Sequence, residues 1–280
     1  MSAWYVKHRK AAKNLYALGL GVIYFLLVIT TWPDTAGFIS ITLAYLLVAW
    51  IISFQVDLAI AKRQDTQVKV LDDLCDPYPL LEELEFQLAY TKPGNFRQLL
   101  LTNYSAALSA IGQYDRMLEI LESVNIDQYS GTQPALKAVY YANLACALIE
   151  KGSLTAAAVW LGKAEQLLTL IKKPDAKMMV QQTILGSRAT IALKREEYDQ
   201  GIAILENIPA ASRRAAVAKA MTSAELAIAM GQPDRARSQL NYVIFNGNRL
   251  AVVEKAKTLM ATLTTPTDEK SVDATKASPV

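Results

Sequence analysis

Hydrophobic positions follow two different patterns along this chain, and the change comes near Gln64. Before it, Leu15–Trp32 and Ala36–Val56 are apolar runs of 18 and 21 residues without a charge, separated by Pro33-Asp34-Thr35. As helices they rise about 27 and 31 Å, close to the roughly 30 Å of bilayer hydrocarbon. Leu, Ile, Val and Phe dominate both runs, and Tyr16, Trp32 and Trp50 stand near their ends, where amphipathic rings favour the interface. The pattern predicts a membrane hairpin. A buried core hairpin is the alternative, as is a signal peptide, which has a shorter apolar stretch and a small-residue cleavage site. Ala17 and Gly21 add a weak small-xxx-small pair.

After Gln64 the apolar positions take helical spacing. Asp57–Lys69 is expected to continue the second span as a helix, and Gln64–Asp76 to form a polar joint ahead of Pro77 and Pro79. A helix from Leu80 to Tyr90 should stop at Lys92-Pro93-Gly94-Asn95. Four segments then align on turn positions Gly112, Gly152, Glu196 and Gly231. Seven residues before each stands a small residue: Ser105, Ala145, Ala189, Ala224. Nine residues after each stands a leucine: Leu121, Leu161, Leu205, Leu240. A small residue lets the paired helix approach, a glycine turns the chain, and the leucine fills the space between units. An irregular bundle with accidental coincidences is the competing reading.

Gly112-Gln113-Tyr114-Asp115 and Glu197-Tyr198-Asp199 make the pattern resemble the tetratricopeptide repeat family, over about Leu100 to Leu263. The chain departs from it in longer intervals, in Glu196 for glycine, in Pro233 for the aromatic, and in Met117 and Gly201 where alanine is usual. The resemblance implies a groove lined by the first helix of each repeat, with Asn103 and Asn143 placed to bond a ligand backbone, and Ser187 and Thr222 at the matching positions. Thr102 and Ala142 stand where chaperone-binding members carry clamp lysines, which speaks against a chaperone tail as ligand. A merely structural role for the asparagines is the alternative.

The expected architecture is all-α: two transmembrane helices followed by a helix–turn–helix solenoid of tetratricopeptide type. Its parts are a basic tail (1–14), the hairpin (15–56), a linker (57–79), the repeat domain (80–263, closed by a capping helix at 249–263) and a disordered tail (264–280).

Charge sets the orientation. Lys7, Arg9, Lys10 and Lys13 against the single Asp34 account for the formal net charge of +3, so the chain from Gln55 onward is neutral. The positive-inside rule, with Lys62 and Arg63 after the second run, places both termini and the repeat domain in the cytoplasm. A neutral domain argues against nucleic acid as partner.

Candidate chemistry is sparse. His8 is the only histidine and lies in the tail, while Cys75 and Cys146 are isolated, so no metal spacing, disulfide framework or histidine-based triad is expected. The cysteines read as buried thiols of a reducing compartment. Glu82, Glu83 and Glu85 read as a solvated face, and Arg213, Arg214 and Lys219 as a solvated face or an exposed basic patch. No catalytic residue, cofactor or metal is predicted. The leading expectation is a membrane-anchored scaffold that recruits a protein or peptide. The alternative is an integral subunit of a larger membrane complex for secretion, transport or envelope assembly. A membrane enzyme is the third reading, and no motif supports it.

Overall fold

The computed structural model describes residues 7–31, 35–126, 134–209 and 211–264. Trp32, the Pro33-Asp34 break and the tail from 265 lie outside the described residues. Among the described residues the chain is all-helical. The helices are α1 (Arg9–Thr31), α2 (Thr35–Leu74), α3 (Tyr78–Tyr90), α4 (Asn95–Ala110), α5 (Tyr114–Glu122), α6 (Pro134–Glu150), α7 (Leu154–Leu168), α8 (Pro174–Lys194), α9 (Tyr198–Glu206), α10 (Arg213–Ala229), α11 (Pro233–Asn246) and α12 (Val252–Thr264). They fall into two compact units, Met1–Val70 with Tyr78–Leu100, and Leu71–Pro77 with Leu101–Val280.

In the first unit α1 and α2 are long and apolar enough to cross a membrane, and almost none of either apolar window is buried. A core helix would be covered, so this exposure removes the buried-hairpin alternative. The two helices run side by side. Lys13 Nζ donates to Asp57 Oδ2 at 2.8 Å at one end, and farther along Tyr24 and Thr42 share a hydrogen bond of 3.0 Å while Tyr24 packs against Tyr45. Gly19 and Gly21 play no part in this packing, since an added Cβ at either would meet nothing within 4 Å.

The 40 residues of α2 make a rod of about 60 Å, far longer than a span. The stretch read as a polar joint is thus helical as far as Leu74. Val56 and Ile60 on this rod bury against Phe86 of α3 and Phe96 of α4. Arg63 donates to Glu83, which is only 4% exposed, and Gln87 Nε2 donates to the same carboxylate at 2.7 Å. The expected solvated face on α3 therefore holds for Glu82 and Glu85 only. Glu83 has turned inward because a cation waits for it there.

The second unit repeats one local device. In each of the four turns, two backbone N–H groups reach back to close the first helix: Gly112 to Ser109 O and Gln113 to Leu108 O, Gly152 to Ile149 O and Ser153 to Leu148 O, Glu196 to Leu193 O and Glu197 to Ala192 O, Gly231 to Ile228 O and Gln232 to Ala227 O. These are Schellman closures, which need a left-handed residue after the helix. Three sites supply glycine with φ of +75°, +77° and +66°, and the third forces Glu196 to +63°. The alignment on Glu196 is thereby explained by backbone geometry. A side chain in that region is strained by about 1 kcal/mol or somewhat more. Glu196→Gly is expected to recover about 1 kcal/mol, raising the melting temperature of the unit by roughly 2–4 °C in calorimetry; a lower melting temperature would contradict the assignment.

Packing follows the aligned positions. Ser105, Ala145, Ala189 and Ala224 are fully buried, and so are Leu121, Leu161 and Leu240, with Leu205 nearly so. Helix α6 pairs with α7, α8 with α9, and α10 with α11, while the first helices touch one another in sequence, α6 with α8 and α8 with α10. That is solenoid-like stacking. At Gly201 a Cβ would come within 3.1 Å of Leu226 Cδ2, so the missing alanine makes room for a leucine of the next helix.

The unit also joins its own ends. Ala251 N–H donates to Ala110 O at 3.0 Å, Arg249 N–H to Cys75 O at 3.2 Å, and Asn248 Nδ2 to Leu74 O at 2.8 Å. Arg214 Nε donates to Asp72 Oδ1 at 2.7 Å. The last helices are thus tied to the segment preceding α3 and to the end of α4, rather than merely capping an open stack.

Candidate functional site

The first helices of successive repeats turn one face toward a shared cavity of about 460 Å³ in the second unit. Its wall is built by α6, α8 and α10, with Ser109 from α4, Leu205 of α9 and Ile208 after it, and Asp72 from the last turn of α2. The side chains recur at helical spacing. Cys146 and Thr190 stand six residues before their turns, Ser187 and Thr222 nine before, and Thr183 and Ala218 thirteen before. Steps of three and four keep them on one helix face.

The four positions singled out from the sequence divide here. Ser187 and Thr222 line the cavity, with Thr222 Oγ1 donating to Ala218 O at 3.3 Å. Asn143 is buried and points at a neighbouring helix, its Nδ2 donating to Thr102 O at 3.2 Å and Ser105 Oγ at 3.1 Å. Both acceptors are on α4, so this amide joins two first helices. Asn103 is half-buried on α4 and is not among the cavity-lining residues.

Met178 and Met179 form much of the apolar wall, together with Ile149, Leu205 and Ile208. Unbranched thioethers adjust to irregular partners more readily than branched chains do. Hydroxyls of Ser109, Thr183, Ser187, Thr190 and Thr222 add polar groups to the wall; those of Thr183, Thr190 and Thr222 donate to Met179 O, Gly186 O and Ala218 O and so offer acceptor oxygens. Sequence reasoning passed over the methionines because Lys177-Met178-Met179 shows no motif; the signal was their place on the face that carries Ser187.

Charge in the cavity nearly cancels. Arg214 neutralises Asp72, Lys219 donates to Ile208 O at 3.0 Å, and Glu150 and Asp175 also line the cavity. Of the three basic residues expected on a solvated face or an exposed patch of α10, Arg214 and Lys219 are thereby used internally, while Arg213 is exposed. Cys146 is the only thiol in the wall, and its Sγ lies 3.7 Å from Ser109 Oγ. Burial pushes its pKa up, as it does for Cys75, so both stay thiols and neither is a good nucleophile. Among the described residues no cluster of His, Cys, Asp or Glu could hold a metal ion.

Comparison of the chain with protein-family models, curated proteins and solved structures gives no match.

Proposed function

We propose that this chain is a membrane-anchored scaffold of tetratricopeptide type: α1 and α2 hold it in a bilayer, and the cavity of the repeat unit receives a segment of a partner protein. The observation that carries this reading is the cavity itself, built from one face of three successive first helices. Its volume falls within the range that takes a compact ligand or a few side chains of a peptide. Hydroxyls at helical intervals suit a peptide backbone, and the methionine wall suits apolar side chains. With charges nearly balanced, apolar surface and hydrogen bonds would select the partner rather than net charge. Apolar side chains and hydroxyls make up most of the wall, and we read the site as a binding site.

Anchoring has its own consequence. A partner held by a tethered domain stays at high effective concentration near membrane complexes, without any further contact. Lys7, Arg9, Lys10 and Lys13 ahead of the first apolar run, and Lys62 and Arg63 beyond the second, support an orientation with both ends of the hairpin and the repeat unit on the cytoplasmic side. One observation favours the second reading, a subunit of a larger membrane complex. The open space beside Gly19 and Gly21 would let another span approach α1 closely.

The test is a photo-crosslinking residue at Met178 in the full chain in native membranes, compared with one at Lys257 on the exposed side of α12. The expected result is a discrete protein adduct from Met178 that disappears when Thr222→Trp fills the cavity. The same adducts from both positions, or adducts indifferent to Thr222→Trp, would remove the cavity from the mechanism.

A further inference from the structure

A second cavity, of about 590 Å³, lies in the first unit and serves no role in the reading above. It is enclosed by the start of α1, the end of α3, the turn at Thr91–Gly94 and the first residues of α4, with Ile60 of α2. Three features give it a definite chemistry.

The first is charge. Lys7, Lys13 and Lys92 line it, and no Asp or Glu does. Lys13 is paired with Asp57 at 2.8 Å. Lys7 lies over the ring of Tyr90, 5.7 Å from its centroid. Neither Lys7 nor Lys92 has a carboxylate partner among the described residues. The positive end of the 16-residue helix α4 opens onto the same space through Asn95 and Phe96. Lys7, Lys92 and this helix end favour an anion.

The second is an unanswered acceptor. Gln87 lines the cavity and is fully buried. Its Nε2 donates to Glu83, while its Oε1 has no hydrogen-bond partner. A buried carbonyl oxygen left without a donor is rare in folded proteins. An ionised phosphodiester alone offers it no donor, whereas a ligand with both an anionic group and a hydroxyl satisfies the lysines and the amide together.

The third is position along the hairpin. Lys13 stands two residues before the first apolar run and Asp57 one residue after the second, so their bridge marks the end of both runs. Just inside it, Tyr16, Ile52, Gln55 and Val56 border a smaller hollow. In a bilayer this arrangement sets the basic cavity at headgroup depth and the hollow at the top of the acyl region.

We propose that this cavity binds the headgroup of an anionic, hydroxyl-bearing phospholipid, of which phosphatidylglycerol is the simplest. Its phosphate lies between Lys7, Lys92 and the start of α4, a glycerol hydroxyl donates to Gln87 Oε1, and the upper chain enters the hollow beside Tyr16. The proposal rests on the membrane anchor proposed above.

The test uses the full chain in vesicles of phosphatidylcholine with one-fifth phosphatidylglycerol, reading the lipids that stay bound after detergent extraction by native mass spectrometry. Alkaline carbonate extraction of the vesicles is run in parallel. The expected result is at least tenfold enrichment of phosphatidylglycerol, lost in the double variant Lys7→Gln/Lys92→Gln, kept in Lys7→Arg/Lys92→Arg, and reduced in Gln87→Leu. A carbonate-resistant protein without that enrichment, or with enrichment unchanged in the Gln double variant, overturns the headgroup site alone. Displacement of the lipid by equimolar glycerol phosphate would mark a soluble ligand instead and overturn it as well. Release of the protein by carbonate overturns the anchor and the site with it.

Discussion

Leu161→Ala should cost the repeat unit about 2–5 kcal/mol, the range for truncating a buried leucine to alanine. Leu161 has no solvent exposure, and its cluster includes Ala145, Ala157, Ala164 and Ile184. Three of those neighbours are alanines, which have no longer chain to swing into the space. The cavity should therefore stay open, and the loss should fall in the upper half of the range. Thermal unfolding of the full chain in detergent, followed by circular dichroism, gives the number. A loss below about 1 kcal/mol would mean that the leucine after the turn is not a keystone between repeats.

Arg63→Ala should be comparably damaging in the other unit, for an electrostatic reason. Glu83 has a nearly inaccessible side chain and receives Arg63 and Gln87 Nε2. Removing the guanidinium strands a carboxylate in a poorly solvated place, which typically costs 3–5 kcal/mol. Arg63 keeps nearly a third of its own exposure, so the low end, about 3 kcal/mol, is expected. Its stacking over the Phe86 ring, 5.7 Å from the centroid, would be lost as well. The double variant Arg63→Met/Glu83→Leu should regain most of the loss, because burying an apolar pair leaves no charge unpaired. If Arg63→Ala alone unfolds at the temperature of the parent chain, Glu83 is not held in this way.

What could be read from the sequence is what repeats or runs on. Uncharged stretches of 18 and 21 residues mark α1 and the first half of α2, because length and lack of charge need no tertiary information. The four turns could be aligned because each depends on its own few residues, and even Glu196 fell into place by its distance from Ala189 and Leu205. The inward turn of Glu83 was invisible, since its partner lies 20 residues away on another helix. The ties from Asn248, Arg249 and Ala251 back to Leu74, Cys75 and Ala110 join residues more than 100 positions apart, and such contacts leave no periodic trace. The candidate site was half legible. Position nine before the turn faces the cavity at Ser187 and Thr222, but at Asn143 the same position meets α4, whose Thr102 and Ser105 accept from the amide.

The claim on which the functional reading turns is that α1 and α2 cross a membrane and leave the repeat unit in the cytoplasm. Its most direct test is labelling of intact cells with a membrane-impermeant maleimide, using Thr35→Cys at the start of α2 and Lys257→Cys on α12, with the parent chain as baseline for its own thiols, buried Cys75 and half-buried Cys146. Thr35→Cys should be labelled without lysis, and Lys257→Cys only after the cells are opened. Labelling of Lys257→Cys in intact cells, or protection of Thr35→Cys, would contradict the account.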